Sequence, residues 1–345
     1  MKKKYAFGLD AVRVLAVVLV SLTHQVVRTG NYNYQPGIVW VFTMLCFYLS
    51  HSCVPLFLLL SGYLCGEKRP QKSYFRGIFR VAVPYLLISV LCVLKLWLWD
   101  RDPSMKFTTA IYWILSFRAN EYAWYVEMYL GLFLMIPFLN LGYDAIPSRK
   151  WKAVLLGILA FLTLLPDVVS SFGTAQVRAD ILPDYFNACY PVTYYLLGRW
   201  IRKNEARLSI RCAVALLGIG WMLPTGLCIF RSVTSGTYAG GTTLNTFGCL
   251  TTALCAMGLF LLLIRWKQSA FLQRPIREIS KVSFELYLCM GIVDPLLYTW
   301  IRRSFLEMTL LSLICAWILC KLVRLVSEPM IRWAGRLYDT VIRVS

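Results

Sequence analysis

The chain has 345 residues, 59% of them hydrophobic and 15% aromatic, with only 15% charged. A soluble domain is about a quarter charged, so this chain lacks the charge to cover a water-facing surface. The net charge of +19 raises the question of a polyanionic partner, but the positions of the charges give another explanation.

Apolar runs such as "AVLLGILAFLTLL" and "LTTALCAMGLFLLLI" recur along the chain, each approaching the roughly 20 residues a helix needs to cross a bilayer. About ten spans are predicted, near 6–27, 38–64, 80–99, 122–141, 151–165, 186–200, 210–230, 242–264, 283–301 and 306–326. The fold class is all-α, a polytopic membrane helical bundle, with residues 1–345 forming a single integral-membrane domain. The start "MKKKYAFGLDAVRVLAVVLV" has a basic front like a signal peptide, but it carries charge within its apolar run and no small-residue cleavage site. It is read as a retained first span. If residue 1 is cytoplasmic, 26 of the 36 Lys and Arg fall on that side, eight on the other, and Arg13 and Lys95 within spans. Basic residues gather on the cytoplasmic side of inner-membrane proteins, so both termini are predicted cytoplasmic. The charge reads as topology, and nucleic acid is not expected as a partner.

Between spans, the longest segments are 100–121 and 166–185. The first contains "FTTAIYWILSF", predicted as a short interfacial helix. The second, "PDVVSSFGTAQVRADILPDY", clusters turn residues, and long loops in compact proteins are often functional. The twelve cysteines fall nearly all within spans and form no CxxC. They read as small apolar core residues, with neither a disulfide framework nor a metal site expected.

Ionisable residues inside the spans are costly and therefore candidates for function. In "LDAVRVLAVVLVSLTHQ", Asp10, Arg13 and His24 fall at about 0°, 300° and 320° around a helix, on one face. Arg13 and His24 are separated by roughly 16 Å along the axis. Asp10 therefore neighbours Arg13 at i,i+3 spacing and cannot orient His24. The helix offers a charged pair near one membrane surface and an imidazole near the other; an anchoring ion pair and an interface-bound histidine are the plainer alternatives. Glu127, in "EYAWYVEMYLGLF", and Asp294, in "MGIVDPLL", are predicted at the depth of His24. Either carboxylate can hold an imidazole in one tautomer, and either can serve as an interhelical hydrogen bond. His51 precedes Pro55, which is expected to kink the second span, and is read as a polar residue of that kink.

The order of these motifs resembles the acyltransferase-3 family of integral-membrane acyltransferases, many of which O-acetylate cell-surface glycans. Arg13 and His24, separated by ten residues, are the most diagnostic pair. "VPLFLLLSGYL" (54–64), "YFRGIFRVAVPYLL" with Arg76, Arg80 and Pro84, and "AWYVEMYLGLFLMIPFL" follow, then "YPVTYYLLGRW" with Gly198 and Arg199, and "RLVSEP" with Glu328 and Pro329. One departure stands in the ninth span, where many members have Tyr-Leu-x-His and this chain reads "LYLCM", placing Met290 at the histidine.

The resemblance implies an acyl-CoA-dependent O-acetyltransferase of the cell membrane. Acetyl-CoA would enter from the cytoplasm as acyl donor, and the acceptor would be a hydroxyl of a cell-surface glycan or lipid-linked saccharide. Arg13, Arg76, Arg80 and Arg199, with Asp10 beside Arg13, would bind the donor, since arginine suits phosphate geometry. His24 would act as general base or as acyl acceptor, supported by Glu127 and Asp294. The hydrolase-like domain fused to some members is not expected, so transfer would finish within the membrane domain. Membrane lipid is a further partner, a homo-oligomer stays open, and no metal cofactor is expected. Two alternatives remain: a transporter-like member supplying a small molecule such as an amino acid, and an inactive partner in a glycan-synthesis complex.

Overall fold

A computed structural model describes residues 7–102, 106–171, 185–240, 244–267 and 270–344. Among these, all regular structure is helical. In chain order the helices are α1 (Phe7–Arg28), α2 (Ile38–Ser50), α3 (Cys53–Cys65), α4 (Lys72–Phe75), α5 (Phe79–Leu98), α6 (Phe107–Leu115), α7 (Trp124–Ala145) and α8 (Arg149–Thr163). They continue with α9 (Leu165–Ser170), α10 (Tyr190–Asn204), α11 (Ile210–Ser235), α12 (Leu250–Leu263), α13 (Ala270–Lys281), α14 (Ser283–Trp300) and α15 (Phe305–Val344).

Local chemistry sets many of these boundaries. α1 carries Asp10 in its first turn and Arg28 in its last, each complementing the helix dipole. The Ser148 and Ser209 side chains cap α8 and α11 by accepting from the backbone N–H groups of Trp151 and Cys212. α11 stops at Gly236, whose φ of 70° is the left-handed conformation that glycine adopts without steric cost. α2 and α3 are one apolar segment interrupted at His51 and Ser52. Pro55 has no N–H to give the His51 carbonyl one turn earlier, so the helix breaks there.

Seven segments are long and apolar enough to cross a membrane, and Phe271–Lys281 with Ser283–Trp300 make an eighth if taken as one broken span. Helices occur at all ten expected positions, but α10 and α12 have only 15 and 14 residues. They rise about 21–22 Å, less than the ~30 Å hydrocarbon core. Hydropathy does not distinguish a span from an internal helix, and both of these are largely buried in protein. The expected interfacial helix near 107–117 is α6. Along α11 and α15, Leu223, Phe230, Leu310, Leu325 and Trp333 are exposed, an outer surface suited to acyl chains. The chain is a multi-pass helical membrane protein. Lys2, Lys3, Lys4 and Arg178, used above for topology, lie outside the described residues, as does most of the 166–185 segment.

The helices gather into two compact units. Unit 1 comprises Met1–Gly66, Tyr143–Lys281 and Ser304–Leu306. Within it α11 packs along α12, and α3 against both α10 and α1. At the α3–α10 crossing, a Cβ on Gly62 would meet the Tyr195 carbonyl, and one on Gly198 the Leu59 carbonyl. The two backbones approach closely because neither position carries a side chain, as is common where membrane helices pack. Gly198→Val is therefore expected to lower stability by about 3 kcal/mol, read as an earlier thermal melt of the detergent-solubilised protein; an unchanged melt refutes the tight crossing.

Unit 2 comprises Glu67–Gly142, Val282–Arg303 and Glu307–Ser345. Its α14 packs on α5. Tyr74 stacks on Phe133 at 4.5 Å and donates to the Phe133 carbonyl at 2.6 Å. Val93, Ala110 and Ala119 form an apolar cluster with Trp97 and Trp113.

Candidate functional site

α1 is unbroken for 22 residues, and so holds Arg13 and His24 on one rigid rod. Arg13 Nη1 donates to Asp10 Oδ1 at 2.8 Å, the i,i+3 pair that the spacing predicts. Ser280, in the last turn of α13, donates to the same Asp10 oxygen at 2.5 Å and lies 3.4 Å from Arg13 Nη1. A hydroxyl from a distant part of the sequence thus completes the pair. Asp10 is mostly buried, whereas the Arg13 side chain keeps 31% of its exposure. The guanidinium is anchored on one edge and accessible on another.

His24 is partly buried near the far end of α1. Its predecessor Thr23 donates to Ser50 Oγ at 2.6 Å, which brings the α2–α3 break against α1. The next residue, Gln25, is fully buried, and neither atom of its amide has a hydrogen-bond partner. A buried amide left unpaired costs about 1–3 kcal/mol. His51 lies in the break, its ring meeting Phe47 edge-on at 4.7 Å. Its Nδ1 is 2.8 Å from the Phe47 carbonyl and 3.2 Å from the Asn245 amide nitrogen. Thr246, adjacent to Asn245, donates to Asp167, and so does Asn187. The expected kink at Pro55 is present, together with a polar neighbourhood that sequence reading passed over. The signal available in the sequence was scarcity: the chain has two histidines, and both occur here.

Arg199, expected at the donor phosphates, is 2% exposed. Its Nη2 lies 2.6 Å from Asp144 Oδ1, and its guanidinium covers the Tyr143 ring at 4.7 Å. In this structure it faces a carboxylate within unit 1. Removing one partner of a buried ion pair strands the other charge, so Asp144→Ala is expected to destabilise the protein by about 3 kcal/mol. Thermal melts in detergent measure this, and an unchanged melting temperature counts against a buried pair.

The remaining candidates belong to unit 2. Arg76 and Arg80 are exposed, with Arg76 Nη1 2.8 Å from Asp339 Oδ2. Such exposed pairs contribute little to stability, and a more highly charged partner can displace the carboxylate. Glu127 occupies the first turn of α7 and is exposed. Asp294 is fully buried on α14 and accepts hydrogen bonds from Tyr122 and Ser312. Tyr122 also receives, at its carbonyl, the Tyr287 hydroxyl. Asn120 donates to the Leu288 carbonyl at 3.0 Å and accepts from the Tyr122 N–H at 2.9 Å. Met290, which stands at the position of the expected histidine, is completely buried on the same helix.

A family model described as an acyltransferase domain matches residues 7–323. Comparison with curated proteins and with solved structures finds no match. The matched span includes α1 with Arg13 and His24, the basic segment with Arg76 and Arg80, and α14 with Asp294. The chain therefore belongs to the acyltransferase-3 family, and it is a membrane acyltransferase.

Proposed function

We propose that the protein moves an acetyl group from cytoplasmic acetyl-CoA to a hydroxyl of a cell-envelope glycan, with His24 as general base. The observation that carries this reading is α1 itself. One rigid helix holds a half-accessible guanidinium near one end and an imidazole one turn from the other. Coenzyme A matches that layout, with polyanionic phosphates at one end and a thioester at the tip of a long pantetheine arm.

Arg13 is the cation on that rod, and its planar guanidinium suits a phosphate. Arg199, already neutralised by Asp144, serves to hold the end of α10. His24 takes the proton of the acceptor hydroxyl as its oxygen attacks the thioester carbon. Beyond α1, Tyr32 packs edge-on against Tyr238 at 5.3 Å and Tyr34 against Trp40 at 5.0 Å. Such rings can stack on sugars and hydrogen-bond their hydroxyls, which supports a saccharide acceptor. In this reading the charge distribution puts both termini in the cytoplasm, with His24 toward the outer surface of the cell membrane.

Mass spectrometry of envelope glycans from cells with and without the protein tests the proposal. One glycan is expected to lose its acetyl groups when the protein is absent. Glycans identical in both cells overturn this assignment of the acceptor.

A further inference from the structure

His51 is built as more than a residue of a helix kink. When α2 stops, the His51 backbone N–H turns to the Leu49 carbonyl, and the imidazole Nδ1 takes the Phe47 carbonyl at 2.8 Å. With a proton on Nδ1 the ring donates to the Phe47 carbonyl and Nε2 is the basic nitrogen; with Nδ1 bare it accepts from the Asn245 amide instead, so the two neighbours serve the two tautomers in turn. Phe47 on one side and Phe247, at 5.8 Å, on the other hold the ring. The kink itself does not require an imidazole, because the Ser50 hydroxyl already donates to the same Phe47 carbonyl at 2.7 Å. The Thr23–Ser50 hydrogen bond joins the residues immediately before the two histidines.

We infer that His51 is a second imidazole of the transfer site, a positioning residue that shares with His24 the proton released by the acceptor hydroxyl. This rests on the reading of His24 as the base. In the step, the hydroxyl oxygen bonds to the acyl carbon and the thioester C–S bond breaks. The hydroxyl proton passes to the imidazole pair and from there to the departing thiolate, which leaves as a thiol. Two imidazoles holding one proton keep a base available without burying two cations together. The ionisable side chains on the elements around the break are Asp10, Arg13, His24 and Arg28 of α1, Cys53 of α3, and Asp167 of α9. α2 adds Cys46 and Tyr48, α3 also Tyr63 and Cys65, and α10 Tyr190, Tyr194, Tyr195, Arg199, Arg202 and Lys203, while α11 brings Arg211, Cys212, Cys228 and Arg231, and α12 with its cap Cys249 and Cys255.

The test is the pH–rate profile of acetyl transfer by the full-length protein in proteoliposomes, with acetyl-CoA as donor and extracted envelope glycan as acceptor. His51→Asn keeps an N–H donor for the Phe47 carbonyl but has no second nitrogen to titrate. It is expected to lose about tenfold or more in rate and to reduce the acid limb of the profile to one ionisation. Asn245→Ala, at a half-exposed loop position, is expected to displace that limb without disturbing the helices. If both variants keep the wild-type rate and profile per folded molecule while His24→Ala is inactive, the inference about His51 fails and the base reading stands. If His24→Ala is fully active, both fail.

Discussion

His24→Ala is expected to lower acetyl transfer by about 100-fold to 10,000-fold, the range for loss of a positioned general base, while the protein keeps its normal membrane abundance. The two halves of this prediction have different structural grounds. The rate falls because alanine removes the base that takes the hydroxyl proton first, and His51 only shares the proton that His24 receives. Abundance holds because His24 is only partly buried and alanine is the best helix former. A variant that disappears from the membrane would instead identify His24 as a packing residue. Steady-state rates normalised to the folded fraction separate the two.

Arg13 and Asp10 yield the second large effect, and here the sign of the change is informative. Losing a charge-assisted hydrogen bond to phosphate costs roughly 1.5–3 kcal/mol, or about 10–100-fold in kcat/KM. Arg13→Ala is expected to lose that amount, mainly through a higher KM for acetyl-CoA. Arg13→Lys recovers only part of it, since an ammonium lacks the planar fork. Asp10→Asn acts in the opposite direction: the Asp10 carboxylate now shares the Arg13 charge at 2.8 Å, and neutralising it is expected to lower the KM for acetyl-CoA. If the pair were merely a helix anchor, Arg13→Ala and Asp10→Asn would both reduce abundance and neither would move the KM.

The parts of this arrangement visible in the sequence are those that depend on local spacing. Apolar runs place the helices, Pro55 places the α2–α3 break, and the i,i+3 separation places Asp10 against Arg13. What sequence does not display is which distant residue completes each local group. Ser280 reaches the Asp10–Arg13 pair from 270 and 267 positions away, and Asn245 reaches His51 across 194. Nothing near Arg199 in the chain announces that Asp144, 55 residues earlier, will neutralise it. Hydropathy likewise cannot tell a helix facing lipid from one surrounded by protein. α10 and α12 look like spans in sequence, and in the fold they are short helices largely enclosed within unit 1.

The proposed mechanism passes the acetyl group directly from coenzyme A to a glycan hydroxyl, with the α1 histidine as the base that takes the proton. Its most direct test uses purified protein in proteoliposomes, given acetyl-labelled acetyl-CoA and envelope glycan. The predicted result is glycan-dependent release of coenzyme A, matched mole for mole by label on the glycan and lost in His24→Ala. Label transfer unchanged in His24→Ala, or movement of a small solute across the vesicle without any acetyl-CoA requirement or glycan labelling, would contradict it.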